Sequence, residues 1–77
     1  MLFKEREPIL CEVSENLFMK NVEVLPLDII YQIEDYIEEE EAVKYEYWHE
    51  SGHRIYKITL KSGKSRIWDL RRQKKMF

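Results

Sequence analysis

The sequence predicts an α+β fold: an N-terminal β-hairpin, one central helix, and a C-terminal three-stranded antiparallel meander packed on that helix. Three observations carry this expectation. Ser51-Gly52 and Ser62-Gly63 are turn signals eleven residues apart, each set between β-branched and aromatic residues. Ile29, Ile30, Ile33, Tyr36 and Ile37 recur at helical spacing and form one apolar stripe. Finally, 77 residues and 9.5 kDa leave room for one domain, spanning 1–77. Such a chain hides only about 60% of its unfolded surface, so one helix stripe and one sheet face must bury each other.

Residues 9–13, Ile-Leu-Cys-Glu-Val, form a short apolar run after Pro8. Ser14-Glu15-Asn16 reads as a turn, and residues 17–25 end in β-branched positions before Pro26. The 9–25 segment is therefore expected to be a hairpin; a short helix over 15–21 is the competing reading. Pro26 suits the start of a helix over 27–42, because its missing N–H would go unpaired there. Asp28 is placed to cap that helix or to meet its positive end, while Glu34, Asp35, Glu38 and Glu39 line the opposite side. Glu38 to Glu41 crowd the negative end of the dipole, so that end is expected to fray or to meet basic residues.

Residues 43–71 read as the meander. If both serine-glycine pairs are two-residue loops, Glu50 faces His53, Tyr47 faces Tyr56 and Val43 faces Leu60. On the second turn Lys61 then faces Lys64, Ile58 faces Ile67 and Ile55 faces Leu70. One face becomes Val43, Tyr45, Tyr47, Tyr56, Ile58, Leu60 and Ile67, a partner for the helix stripe. The other face becomes Lys44, Glu46, Trp48, Ile55, Lys57, Thr59, Arg66, Trp68 and Leu70, which is basic and carries both tryptophans. A basic tail follows over 72–77.

The net charge of −2 conceals an asymmetry. Residues 1–42 carry three bases against twelve acids, a net of −9, and residues 43–77 carry ten bases against three acids, a net of +7. Such halves attract opposite partners or neutralise each other within one fold. The only cysteine, Cys11, excludes an intrachain disulfide and is expected to be a buried structural residue. The N-terminus turns charged at once, without the apolar core of a signal peptide, and no apolar run approaches the roughly 18 residues of a spanning helix. A soluble cytoplasmic protein without membrane contact is expected.

His49-Glu50-Ser51-Gly52-His53 matches H-E-x-x-H, in which two histidines one helical turn apart chelate zinc and the glutamate activates water. The chemistry requires a helix. Here Ser51-Gly52 sits mid-motif between strand-like segments, which sends the two histidines to opposite faces of a sheet. A zinc hydrolase is therefore the weakest reading. Gly63-Lys64-Ser65 ends like a P-loop, yet Ile58 stands where the first glycine belongs, so a hairpin tip is expected. With no catalytic apparatus and little surface to wall off a cleft, no enzymatic role, metal or cofactor is expected.

The basic tryptophan face is the best functional signal. Trp48, Trp68, Ile55 and Leu70 form an expected apolar centre rimmed by Lys57 and Arg66, with Lys44, Lys61, Lys64, Arg71 and Arg72 nearby. Tryptophan and arginine are the usual anchors of protein contacts. The leading expectation is a small non-catalytic regulatory or inhibitory module, of the size and character that bacteria and their viruses encode, docking on a protein partner of the nucleic-acid machinery. The alternative is direct binding of RNA or single-stranded DNA, with bases stacked on the indoles and phosphates met by the cations. A short edge strand and oppositely charged halves also permit a homodimer.

Overall fold

A serine and a pair of apolar residues one turn apart decide the N-terminal half. The computed structural model describes residues 10–50 and 52–71; Ile9, Arg72 and the expected basic tail 72–77 lie outside the described residues. The chain runs β1 (Cys11–Val13), α1 (Glu15–Val22), α2 (Leu27–Glu39), β2 (Ala42–Glu50), β3 (His53–Leu60) and β4 (Ser65–Arg71). The expected hairpin over 9–25 does not form. Ser14 is extended at φ −72° and ψ 158°, and its Oγ accepts the Leu17 N–H at 3.2 Å, starting α1 as an N-cap. Phe18 and Val22, four residues apart, both turn inward and are fully buried. Leucine, methionine, lysine and glutamate favour a helix here and outweigh the β-branched tail at Val22 and Val24. Only β1 remains as strand.

The second helix forms where expected. The Pro26 carbonyl accepts the Ile29 and Ile30 N–H groups at 3.0 and 3.1 Å, and Asp28 sits in the first turn against the positive dipole end. Ile33 and Tyr36 are buried, Ile29, Ile30 and Ile37 pack beside them, and Glu34, Asp35, Glu38 and Glu39 are exposed. The helix ends at Glu39, three residues before the expected boundary. With no basic residue in its last turn and four acids crowding the negative end, continuation is unfavourable, and Glu40 is extended.

The sheet is antiparallel throughout, in the order β1-β2-β3-β4. Its first turn follows the expected register: Glu50 pairs with His53 and Tyr47 with Tyr56, with Gly52 at φ +81°. A register shift at Val43 then sets Ala42, rather than Val43, opposite Leu60, and Val43 is exposed.

The second turn departs from the expected one. Leu60 accepts the Gly63 N–H at 2.9 Å and donates to the Lys64 carbonyl at 2.8 Å, so Lys61-Ser62-Gly63 is a three-residue loop. Gly63 takes the left-handed conformation, φ +98°, that closes such loops. One added residue flips every side chain of β4 to the other face. Ile58 pairs with Arg66, Tyr56 with Trp68 and Arg54 with Leu70.

Both helices lie on the face bearing Tyr45, Tyr56, Ile58, Leu60 and Trp68, and Phe18, Val22, Leu25, Ile33 and Tyr36 complete the core. Phe18 packs tilted on Tyr45 at 5.1 Å and edge-on to Tyr56 at 5.5 Å; Tyr36 meets Trp68 edge-on at 5.7 Å. The fully buried Tyr56 donates its hydroxyl to the Asn21 carbonyl at 2.9 Å, tying α1 to β3. Among the described residues, no helix is long and apolar enough to cross a membrane.

Candidate functional site

Strand alternation builds the helix-free face of the sheet from the residues the core does not take. It carries Glu12 from β1, Lys44, Glu46 and Trp48 from β2, His53, Ile55, Lys57 and Thr59 from β3, and Ser65, Ile67 and Asp69 from β4. Trp48 stands directly opposite Ile55, and Ile67 is diagonal to Ile55 across the next strand pair. Ile55 is only 5% exposed, Trp48 is partly buried, and Ile67 is 50% exposed. The three make an apolar row across three strands, apart from the main core.

Charged groups flank this row. Lys57 Nζ lies 4.0 Å from Glu46 Oε1, and His53 Nδ1 lies 3.5 Å from Asp69 Oδ1. Glu12 and Glu46 are directly opposed, a like-charge pair that Lys57 offsets. Lys44 is exposed at the far end. Among the side chains described, two lysines and one histidine accompany three carboxylates.

The expected two-tryptophan basic face is therefore divided. Trp48, Ile55, Lys57 and Lys44 are on the helix-free face as expected. Trp68 and Leu70 are not: the three-residue turn places both on the helix side, where Trp68 is buried and Leu70 packs against the core. Arg66 goes with them. Its Nη2 donates to Gln32 Oε1 at 2.9 Å, its guanidinium sits 4.8 Å from the Trp68 ring centre, and Trp68 Nε1 donates to the same Gln32 oxygen at 3.3 Å. Lys61 is exposed in the turn. Lys64 donates to Glu39 Oε1 at 3.1 Å, which raises its pKa, and lies over the Tyr36 ring. Arg71 ends β4. Ile67, assigned by sequence to the core, belongs to the candidate site instead.

The H-E-x-x-H segment is strand, turn and strand. His49 stacks beside Tyr47 on the helix side of β2, whereas His53 opens β3 on the other face. Among the described residues, no group of three His, Cys, Asp or Glu is placed to hold a metal ion. Gly63-Lys64-Ser65 is the hairpin tip. Cys11 is exposed rather than buried, because it begins a three-residue edge strand and lies opposite Tyr47, which is only partly buried. Compared with protein-family models, with curated proteins and with solved structures, the chain matches none.

Proposed function

We propose that this chain is a small non-catalytic regulatory or inhibitory module that docks on a protein partner through the helix-free face of its sheet. The observation that carries the reading is the Trp48–Ile55–Ile67 row, set outside the core and ringed by charges of both signs. An apolar centre with a polar rim is the anatomy of a protein interface. Lys44 and Lys57, interleaved with Glu46 and Asp69, fit a partner surface that also carries both signs. A polyanion is a poorer fit, since phosphate binding draws on unpaired cations. Lys57 and Lys64 already face carboxylates, and Trp68 offers no ring for a base to stack on.

The test is site-specific photo-crosslinking in cells from position 67, with position 34 on the acidic helix as control, alongside fluorescence polarisation with oligouridine and oligothymidine. The expected result is a protein adduct from position 67 that differs in mass from two copies of the chain and disappears with Trp48→Ala. Adducts from position 34 alone, or oligonucleotide binding that weakens steeply with salt, would overturn the reading.

A further inference from the structure

Strand β4 ends the sheet, and no described strand pairs with its outer side. It runs seven residues in one unbroken register against β3, without proline, while the opposite edge, β1, has three residues. Long regular edges of this kind are templates for another strand. The phase of its hydrogen bonds follows from the turn. Leu60 N–H donates to the Lys64 carbonyl, so positions 64, 66, 68 and 70 direct their backbone groups inward to β3. The N–H and C=O groups of Ser65, Ile67 and Asp69 therefore point outward from the sheet.

We infer that this edge binds the same edge of a second copy of the chain, antiparallel, about a two-fold axis through Ile67. In a sheet that continues across such an axis, residues of the same face must oppose each other, and for at least five residues of β4 to pair the axis passes through Ile67, Trp68 or Asp69. An axis through Asp69 opposes two carboxylates. One through Trp68 sets Ile67 against the partner subunit's Asp69 and Arg66 against the partner subunit's Leu70, apolar against charge in each case. An axis through Ile67 makes every pair complementary. Ile67 meets its own copy in the next strand, so the two apolar rows join side by side on the helix-free face and stay open to a docked partner. Ser65 meets the partner subunit's Asp69 twice over, hydroxyl to carboxylate, and Arg66 lies beside the partner subunit's Trp68. Ile67–Ile67 and both Ser65–Asp69 pairs are of the bonded type, each exchanging two N–H···O bonds with groups the single chain leaves outward. The product is an eight-stranded antiparallel sheet with both helix pairs on one side.

The register fixes the sign of the test. Sedimentation equilibrium of the full chain over a wide concentration range is expected to show exchange between 9.5 kDa and twice that mass. Ser65 is exposed, so its variants leave the single chain folded. Ser65→Asp sets like charges against the partner subunit's Asp69 in two places and is expected to weaken the dimer about tenfold; Ser65→Lys is expected to tighten it. Ile67→Pro removes an N–H the single chain does not use and is expected to abolish the dimer, with far-UV circular dichroism reporting the fold. Trp48→Ala leaves the dimer unchanged, which separates this edge from the docking face. A mass of one chain at every concentration, or tightening by Ser65→Asp, overturns the inference.

Discussion

Replacing each tryptophan with alanine tests the register on which both readings stand. The sequence-based register puts Trp48 and Trp68 on one exposed face, where their losses would be comparable. The structure buries Trp68 to 4% exposure, edge-on to Tyr36 and hydrogen-bonded through Nε1 to Gln32. Truncating a buried tryptophan to alanine removes roughly 200 Å² of apolar burial, about 5 kcal/mol at 25 cal/mol per Å², and comparable core truncations cost about 3–5 kcal/mol. A chain of this length has roughly 4–12 kcal/mol in all, so Trp68→Ala takes from about a quarter of it to all of it. Trp48, partly buried outside the core, is expected to cost about 1 kcal/mol. Urea unfolding followed by circular dichroism gives both values. If Trp68→Ala leaves no folded baseline, Trp68→Phe keeps an aromatic ring against Tyr36 and loses only the Gln32 bond and some volume, and is expected to cost about 1–2 kcal/mol. A Trp48→Ala loss equal to or above that of Trp68→Ala would refute the three-residue turn and everything drawn from it.

Two further outcomes follow from single residues. Gly63→Ala meets no atom within 4 Å, so its cost is purely that of φ +98°, about 1 kcal/mol, read as a fall of roughly 4–8 °C in Tm; an unchanged Tm would mean the turn is not left-handed there. Burial pushes the Tyr56 phenol up to about 12, with Tyr47 adding to the rise and Arg54 opposing it, while the unfolded chain titrates near 10.0. The unfolded chain therefore loses the proton first, and this contribution is whole below pH 10 and disappears as pH rises toward 12, on the order of 2–3 kcal/mol. Tyr45, also raised by its burial and by Glu15, acts in the same direction. Urea midpoints from pH 9 to 12 should fall less steeply for Tyr56→Phe than for the parent chain; parallel curves would refute the assignment.

What the sequence made readable was local. The apolar stripe of α2, the three strands of the meander and the Glu50–His53 turn all follow from periodicity and from a glycine at its required place. The N-terminal difference is also local: β-branched Val22 and Val24 point to a strand, whereas the Ser14 cap and the Phe18–Val22 spacing make a helix. One signal against the expected face was present in β4 itself. Of its two alternating sets, Trp68 with Leu70 is more apolar than Ile67 with Asp69, so burial alone favours the first set inward. A two-residue turn at Ser62-Gly63 implies the opposite set, and the three-residue loop reverses it: Trp68, Arg66 and Leu70 exchange places with Ile67 and Asp69.

The residues of the second turn do not by themselves determine its length. Ser62-Gly63 suits a two-residue loop and a three-residue loop alike. What selects between them lies about twenty residues upstream. The Ser62 N–H donates to Glu40 Oε2 at 2.7 Å, the Lys61 N–H to the Glu41 carbonyl at 2.8 Å, and Lys64 Nζ to Glu39. The acid cluster at the end of α2 meets the basic turn and thereby holds Lys61, Ser62 and Lys64 in the longer loop. Thus the charge asymmetry between the two halves is spent partly within the chain, and it acts on parity as well as on solubility. Whether Trp68 or Ile67 reaches the helix-free face rests on contacts from the end of α2 as well as on the burial of Trp68 and Leu70, so the composition of the docking face and the complementarity of the β4 edge both depend in part on how α2 ends.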